Sequence, residues 1–242
     1  MISVRAETYR ESHEQFAAPV SLSPAERTAA RKERARRALN VLVAGSGLIF
    51  TAPLLLAIAA LIKITSKGPI FYVQTRVGLD RRGGRPAPDG FRRQEDIGGR
   101  PFRIYKFRTM DAARSSDTQI WARPDDPRIT QLGRILRKYR LDELPQLLNV
   151  LRGDMNLVGP RPEQPRIFAT LRERIDGYAT RQRVLPGITG WAQVQHHYDT
   201  CVDDVKHKLT LDLEYIQRCS PVEDLKIMAK TLPVVVFRRG GW

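Results

Sequence analysis

Apolar residues along the chain follow three rhythms. Residues 41–62 (VLVAGSGLIFTAPLLLAIAALI) run without a charge, and at about 1.5 Å per residue they are long enough to cross a hydrocarbon core of about 30 Å as a helix. Beyond residue 66 the apolar positions come in short groups. GPIFYVQTRVGL and FRIYKFRTM carry β-branched and aromatic residues in near alternation and predict two strands. ITQLGRILRKYRLDELPQLLNVLRGD has mostly helical spacing, with Pro145 predicting a break or a new helix start near Asp142. Residues 203–218 and 221–237 read as two closing helices, and VGPRPEQP, LPGITGW and the Gly/Pro/Arg-rich stretch 81–100 read as loops. The pattern predicts a small α/β, mostly helical domain at residues 65–242, a membrane segment at 38–64 and a polar N-terminal extension at 1–37.

Pro53 stands near the middle of the membrane segment. A proline inside a helix removes one backbone donor and crowds the carbonyl four residues back, and Thr51 offers a hydroxyl to a freed backbone group. Basic residues flank both ends: Arg34, Arg36 and Arg37 before, and Lys63, Lys67, Arg76, Arg81 and Arg82 after. A single crossing should concentrate positive charge on the cytoplasmic side. Symmetric flanks therefore predict a helix broken at Pro53 into a re-entrant hairpin that enters and leaves by one face. The segment begins too far along, behind too many charges, to be a cleaved secretory signal.

Charge widens the picture. The 41 Lys+Arg against 26 Asp+Glu give a formal +15, so the surface should attract nucleic acid, anionic lipid or phosphorylated substrates. The run RTAARKERARR before the membrane segment reads either as a solvated charged tail or as a contact for anionic headgroups. Cys201 and Cys219 lack a CxxC spacing, which indicates neither a disulfide framework nor a zinc site. His196 and His197 are adjacent and point apart, so a joint metal site is not expected. Trp191 reads as core or headgroup-level, and Phe237, Arg238, Arg239 and Trp242 make an amphipathic end.

Candidate chemistry centres on LDELPQL. Asp142 and Glu143 are adjacent, so they cannot share one face of a helix, and their plainest role is to cap the turn that Pro145 opens. Cations nearby point further. Lys106 and Arg108 are two apart in a predicted strand and share a face. Arg137 and Lys138 precede the acidic pair, and Arg161 lies between Pro160 and Pro162 on a backbone that the two rings fix. Rigidly held arginine suits bidentate phosphate contact. A carboxylate pair among cations suits phosphoryl transfer, the carboxylate attacking phosphorus or holding a divalent cation. No P-loop or GxGxxG competes with this reading.

Taken together, GPIFYVQTRVG, YKFRTM, LDELPQLLNVLRGDMNLVGPRP, LPGITGWAQV and the DLEYI and DLKI tail resemble the bacterial sugar transferase family of monotopic phosphoglycosyl transferases, from about residue 37 to the C-terminus. The resemblance implies transfer of a sugar 1-phosphate from a UDP-sugar, a hexose in the branch that the tail from His197 resembles, to undecaprenyl phosphate. It implies an Asp-Glu dyad, Mg²⁺ and a covalent aspartyl-phosphosugar intermediate, with release of UMP. Asp142 would be the nucleophile and a metal ligand, Glu143 its partner, Arg161 a phosphate-contacting residue, and Lys106, Arg108 and Arg137 basic positions near the site. Pro53 would match the helix break, with Ala52 where the family often has Ser. The site would face the cytoplasm at the bacterial inner membrane, against anionic lipids, in a pathway initiating exopolysaccharide, capsule or O-antigen synthesis. The sugar and the oligomeric state stay open, no nucleic-acid partner is implied, and the stretch 81–100 is longer than the family's usual linker. One rival is a basic membrane adaptor or nucleic-acid binder, which explains the charge and leaves the acidic dyad without a role. Another is an enzyme in which Asp142 only holds metal while the lipid phosphate attacks directly.

Overall fold

A computed structural model describes residues 23–80, 98–111, 126–195 and 202–236. Most of the stretch 81–100, His196, His197, Cys201 and the amphipathic end at 237–242 lie outside the described residues. The first element is one long helix, α1 (Pro24–Thr65). Ser23 opens it with a reciprocal cap: its Oγ accepts from the Glu26 N–H at 3.3 Å, and its own N–H donates to Glu26 Oε2 at 2.8 Å. By packing, the chain divides into a unit ending at Ala35 and a body that begins at Arg36.

The expected hairpin is not there, because α1 continues through Pro53 without a break. The Thr51 hydroxyl bonds the Gly47 carbonyl one turn back, at 2.6 Å, and not the Ile49 carbonyl that Pro53 leaves without its helical donor. A proline in an apolar helix costs one rung of the ladder, and the neighbouring turns hold the rest. The helix is long and apolar enough to cross a membrane, yet both ends of its apolar stretch pack on the same body. Ala44 is buried with Val150, Met155 and Leu157, whereas Ile58 and Ile62 are buried with Phe107 and Leu136. Between and opposite these points, Leu42, Ile49, Phe50, Leu56 and Ile64 are 70–84% exposed, one apolar side bare along the helix.

The two predicted strands form an antiparallel pair, β1 (Phe71–Val77) and β2 (Pro101–Phe107), with Tyr72 opposite Lys106. A helix α2 (Gln131–Lys138) follows, capped by Thr130, whose Oγ1 accepts from the Gly133 N–H at 2.9 Å. Gly133 has a steric reason: a Cβ there would stand 2.1 Å from the Thr109 carbonyl oxygen, so only glycine lets α2 lie against the end of β2. The segment Leu141–Gln146 is a 3₁₀ turn that leads directly into α3 (Leu147–Arg152). The helical pattern thus breaks after Lys138 and restarts at Leu141, near Asp142 as expected, with Pro145 inside the new turn and not at its start.

Two short strands depart from the expectation, one inside the loop segment LPGITGW and one ending at the first residue of VGPRPEQP. β3 (Asn156–Val158) and β4 (Gly187–Thr189) pair in parallel, Asn156 opposite Gly187 and Val158 opposite Thr189. Their three-residue length and Pro/Gly flanks hide them from any periodicity. Between them lie α4 (Pro165–Arg174) and a 3₁₀ turn (Tyr178–Arg183). The chain closes with α5 (Trp191–Gln195), α6 (Val202–Arg218) and α7 (Pro221–Val236), the last two close to their expected bounds. Phe102, Ile104, Val150, Met155, Val158, Tyr215 and Ile227 form the main core, under both small sheets. The α/β, mostly helical class holds, and among the described residues the strands form two separate two-stranded sheets.

Candidate functional site

The acidic pair lies in the 3₁₀ turn Leu141–Gln146, with both residues 7% exposed. Neither carboxylate caps α3, which has no side-chain cap. Just before them Arg140 adopts φ 56° and ψ 18°, a left-handed conformation costly for a residue with a Cβ. Such strain persists only where surrounding contacts fix it.

Glu143 gathers the cations. Its Oε1 accepts from Lys106 Nζ at 2.7 Å and from Arg161 Nη2 at 2.8 Å, with Arg140 Nη1 at 3.9 Å. Lys106 arrives on β2 and Arg161 on the loop after β3, so the carboxylate ties together two parts of the chain more than fifty residues apart. Burial alone would raise the Glu143 carboxyl, but Arg161, Lys106 and Arg140 outweigh it and hold it well below the usual carboxylate range. Asp142 has the opposite balance. Burial first, and then the neighbouring Glu143 charge, push its carboxyl up to about 6, against the pull of Lys106, Arg137 and Arg140. Its Oδ1 is buried without a hydrogen-bond partner among the described residues.

The expected cations divide. Lys106 and Arg161 reach the dyad, and Arg137 lies close enough to act on Asp142 while its Nε donates to Thr109 Oγ1 at 2.9 Å. Arg108 turns elsewhere: its Nη2 donates to the Ser66 carbonyl at 2.8 Å and to Ser66 Oγ at 2.7 Å. The physical reason is the end of α1, where the last carbonyls lack helical donors and attract a cation. Arg108 therefore fastens the helix end, and the shared-face expectation does not bring it to Glu143.

Other residues of the site escaped the sequence reading. Arg76 of β1 donates from Nη1 to the Pro162 carbonyl at 3.1 Å, and Arg181 donates from Nη2 to the Arg161 carbonyl at 3.1 Å. Arg181 is 4% exposed and also pairs with Asp212 at 2.8 Å, Glu163 at 3.5 Å and the Tyr178 hydroxyl. Asn149, fully buried on α3, donates to the Arg103 carbonyl at 2.7 Å and accepts from the Tyr105 N–H at 3.1 Å, fixing the dyad turn to β2. An asparagine inside the apolar run LLNVL was the available signal, since a polar residue in a core must find partners.

Could this site hold a cation? Among the described residues no group of three or more His, Cys, Asp or Glu side chains is placed to hold a metal. An all-protein cage is therefore absent there. A buried carboxylate oxygen without a partner does fit Mg²⁺, which is commonly held by one or two carboxylates with waters and substrate phosphates completing the shell.

Residues 31–238 match the family described as bacterial sugar transferase. The chain belongs to that family. A UDP-N-acetylgalactosamine-undecaprenyl-phosphate N-acetylgalactosaminephosphotransferase of Aeromonas hydrophila is 39% identical over 85% of this chain and 44% of its own length. A UDP-glucose:undecaprenyl-phosphate glucose-1-phosphate transferase of Caulobacter vibrioides is 41% identical over 82% of this chain and 68% of its own. A protein of the same name from Escherichia coli is 36% identical over 81% and 39%. The sugar transferase chain thus spans less than half the length of two of these three relatives.

Proposed function

We propose that this bacterial sugar transferase moves a sugar 1-phosphate from a UDP-sugar to undecaprenyl phosphate by way of a phosphosugar carried on Asp142. The observation that carries the reading is the division of labour in the dyad: Glu143 takes the cations, and Asp142 keeps a buried oxygen without a partner. An Asp142 oxygen attacks the β-phosphorus, the bond from that phosphorus to the bridging oxygen breaks, and UMP leaves with the bridging oxygen. An oxygen of undecaprenyl phosphate then attacks the same phosphorus and expels the Asp142 carboxylate. Arg161 and Lys106, held 2.8 and 2.7 Å from Glu143, offset charge on the transferring phosphoryl oxygens. Arg137 lies on the other side, near Asp142, and Arg108 contributes by fixing the end of α1. Mg²⁺, held by Asp142 with diphosphate oxygens, would supply further charge neutralisation. The relatives' names favour a UDP-hexose or UDP-N-acetylhexosamine as donor.

The reaction takes place at a membrane surface, in this reading the cytoplasmic face of the bacterial inner membrane, where the basic N-terminal turns meet anionic lipid. Support comes from α1, whose contacts at Arg36 and Ile62 lie about 39 Å apart along the helix at 1.5 Å per residue and meet the same body, at Asp224 and at Phe107 and Leu136. A crossing helix would leave the body on one side only. In this reading, cysteines introduced into the N-terminal extension and into the catalytic body should both be shielded from a periplasmic thiol reagent.

The deciding experiment incubates the protein with UDP-sugars labelled in the sugar, UDP-glucose and UDP-N-acetylgalactosamine first, with Mg²⁺ and no lipid acceptor. A stoichiometric burst of UMP with hydroxylamine-sensitive label on the protein is expected. Turnover with undecaprenyl phosphate but no label under rapid quench would mean that the lipid phosphate attacks directly and Asp142 only holds metal.

A further inference from the structure

Two polar residues near the start of the long apolar helix are almost fully buried, Arg36 and Asn40, each 2% exposed. Anchoring a helix in lipid requires neither. Asn40 spans a gap: its Nδ2 donates to the Arg36 carbonyl at 2.8 Å, and its Oδ1 accepts from the Leu157 N–H of β3 at 2.6 Å. Arg36 donates from Nε to Asp224 Oδ2 at 2.9 Å and from Nη2 to the Tyr215 hydroxyl at 2.7 Å. That hydroxyl lies 2.7 Å from Asp224 Oδ1 and 3.0 Å from the Val158 carbonyl. One side of β3 is thus bonded to β4, and polar groups of α1 and α6 reach the rest of it.

From β3 to Arg161 there is little slack. The Gly159 N–H donates to the Thr189 carbonyl at 2.9 Å, and the Pro160 carbonyl accepts from the Gly187 N–H at 3.0 Å. Gly159 and Gly187 are pressed together, since a Cβ on Gly187 would stand 2.1 Å from the Gly159 nitrogen. The carbonyls of Arg161 and Pro162 are held by Arg181 and Arg76, and two proline rings fix the backbone between. A shift of β3 therefore moves the Arg161 guanidinium, which sits 2.8 Å from Glu143.

We infer that Asn40 and Arg36 are positioning residues for Arg161, so that the apolar helix is a structural part of the phosphate clamp as well as an anchor. This rests on the proposed function for its effect on catalysis; the mechanical link does not. In the sequence the two residues read only as the basic flank and first turn of a membrane segment.

The test compares Asn40→Ala with Asn40→Asp, which keeps an oxygen for the Leu157 N–H, in the full chain in detergent micelles. Hydrogen–deuterium exchange without substrate should speed up about tenfold over residues 156–163 in Asn40→Ala, stay unchanged over 131–138, and return towards wild type in Asn40→Asp. The UMP burst from UDP-sugar without lipid acceptor should slow about tenfold or more in Asn40→Ala, since small displacements of a clamp cost that much. The same substitution in an Arg161→Ala background should produce no further loss, and sedimentation with lipid vesicles should be unchanged. Unaltered exchange at 156–163, or faster exchange spread evenly over the chain, overturns the inference. So does an activity loss confined to the step that needs the lipid acceptor. If wild type gives no burst with any UDP-sugar while 156–163 still loosens, the positional link stands and the proposed reaction is what fails.

Discussion

Two charged clusters lie on either side of the Arg161 loop, built from the same residue types. At one, Asp142 and Glu143 meet Lys106, Arg137, Arg140 and Arg161; at the other, Glu163 and Asp212 meet Arg181, Lys208 and Arg76. Both are buried, so both bear the cost of taking charge out of water. They differ in how completely they offset it. In the second cluster the atom left over is a cation's, Arg76 Nε, and no buried carboxylate oxygen of Glu163 or Asp212 lacks a partner among the described residues, whereas in the first Asp142 Oδ1 does. Burial would raise Glu163, but Lys208, Arg181, Arg76 and Arg161 bring it down to about 2, while Asp142 is left near 6. A cluster whose carboxylates are all bonded fixes geometry; an unsatisfied carboxylate beside it is held ready for something else. Burial and charge alone do not tell the two apart, and the bonding of the carboxylates does.

The largest effect should come from Asp142→Asn, which keeps the shape and removes the attacking oxygen's charge. Label and UMP release should both fall by about a thousandfold or more. With metal chelated, the same variant should be more stable than wild type at pH 7.5. The folded pKa of about 6 lies above the usual 3.8, so the Asp142 contribution to stability is full below pH 3.8 and is lost as pH rises through 6. Asn is spared that loss, on the order of 1–3 kcal/mol, readable as a higher Tm. A variant that is both inactive and less stable would place Asp142 in the structural class with Asp212.

Burial raises the Asp212 carboxyl too, but its oxygen is bonded to the buried Arg181 at 2.8 Å, so Asp212→Asn should do the reverse. It strips Arg181 of its nearest charge, and breaking such a buried pair costs about 3–5 kcal/mol, so Tm should fall steeply while the burst per folded molecule stays within a few-fold. Arg161→Lys comes next. It keeps the charge but loses the planar fork, and the burst rate should drop about tenfold to a hundredfold with little change in Tm. Near-normal turnover would make Arg161 part of the scaffold. The smallest effect is that of pH: with Asp142 near 6 and Glu143 far lower, the burst rate should be flat above neutrality and about tenfold lower at pH 5. A rate that holds to pH 4.5 would mean Asp142 does not need to ionise there.

The sequence by itself determined those features that depend on neighbours along the chain. A run of 22 uncharged residues can only be a long apolar helix, alternating FRIYKF can only bury one face as a strand, and LDELP places two carboxylates beside a turn. Arg161 between prolines was legible because proline fixes the backbone locally. The tertiary structure decided which charge meets which. It sent Lys106 to Glu143 and Arg108 to Ser66, although the two sit in one short segment and carry the same sign. It kept α1 unbroken at Pro53, because packing at Ala44 on one side and Ile58 and Ile62 on the other holds both halves of the helix against one body. It also made strands of NLV and GIT, whose pairing rests on two glycines in contact across twenty-eight residues and on no local period. Local sterics and periodicity are written in adjacent residues; the partner of a buried charge is set by what the rest of the chain brings within 3 Å, and only the folded molecule does that.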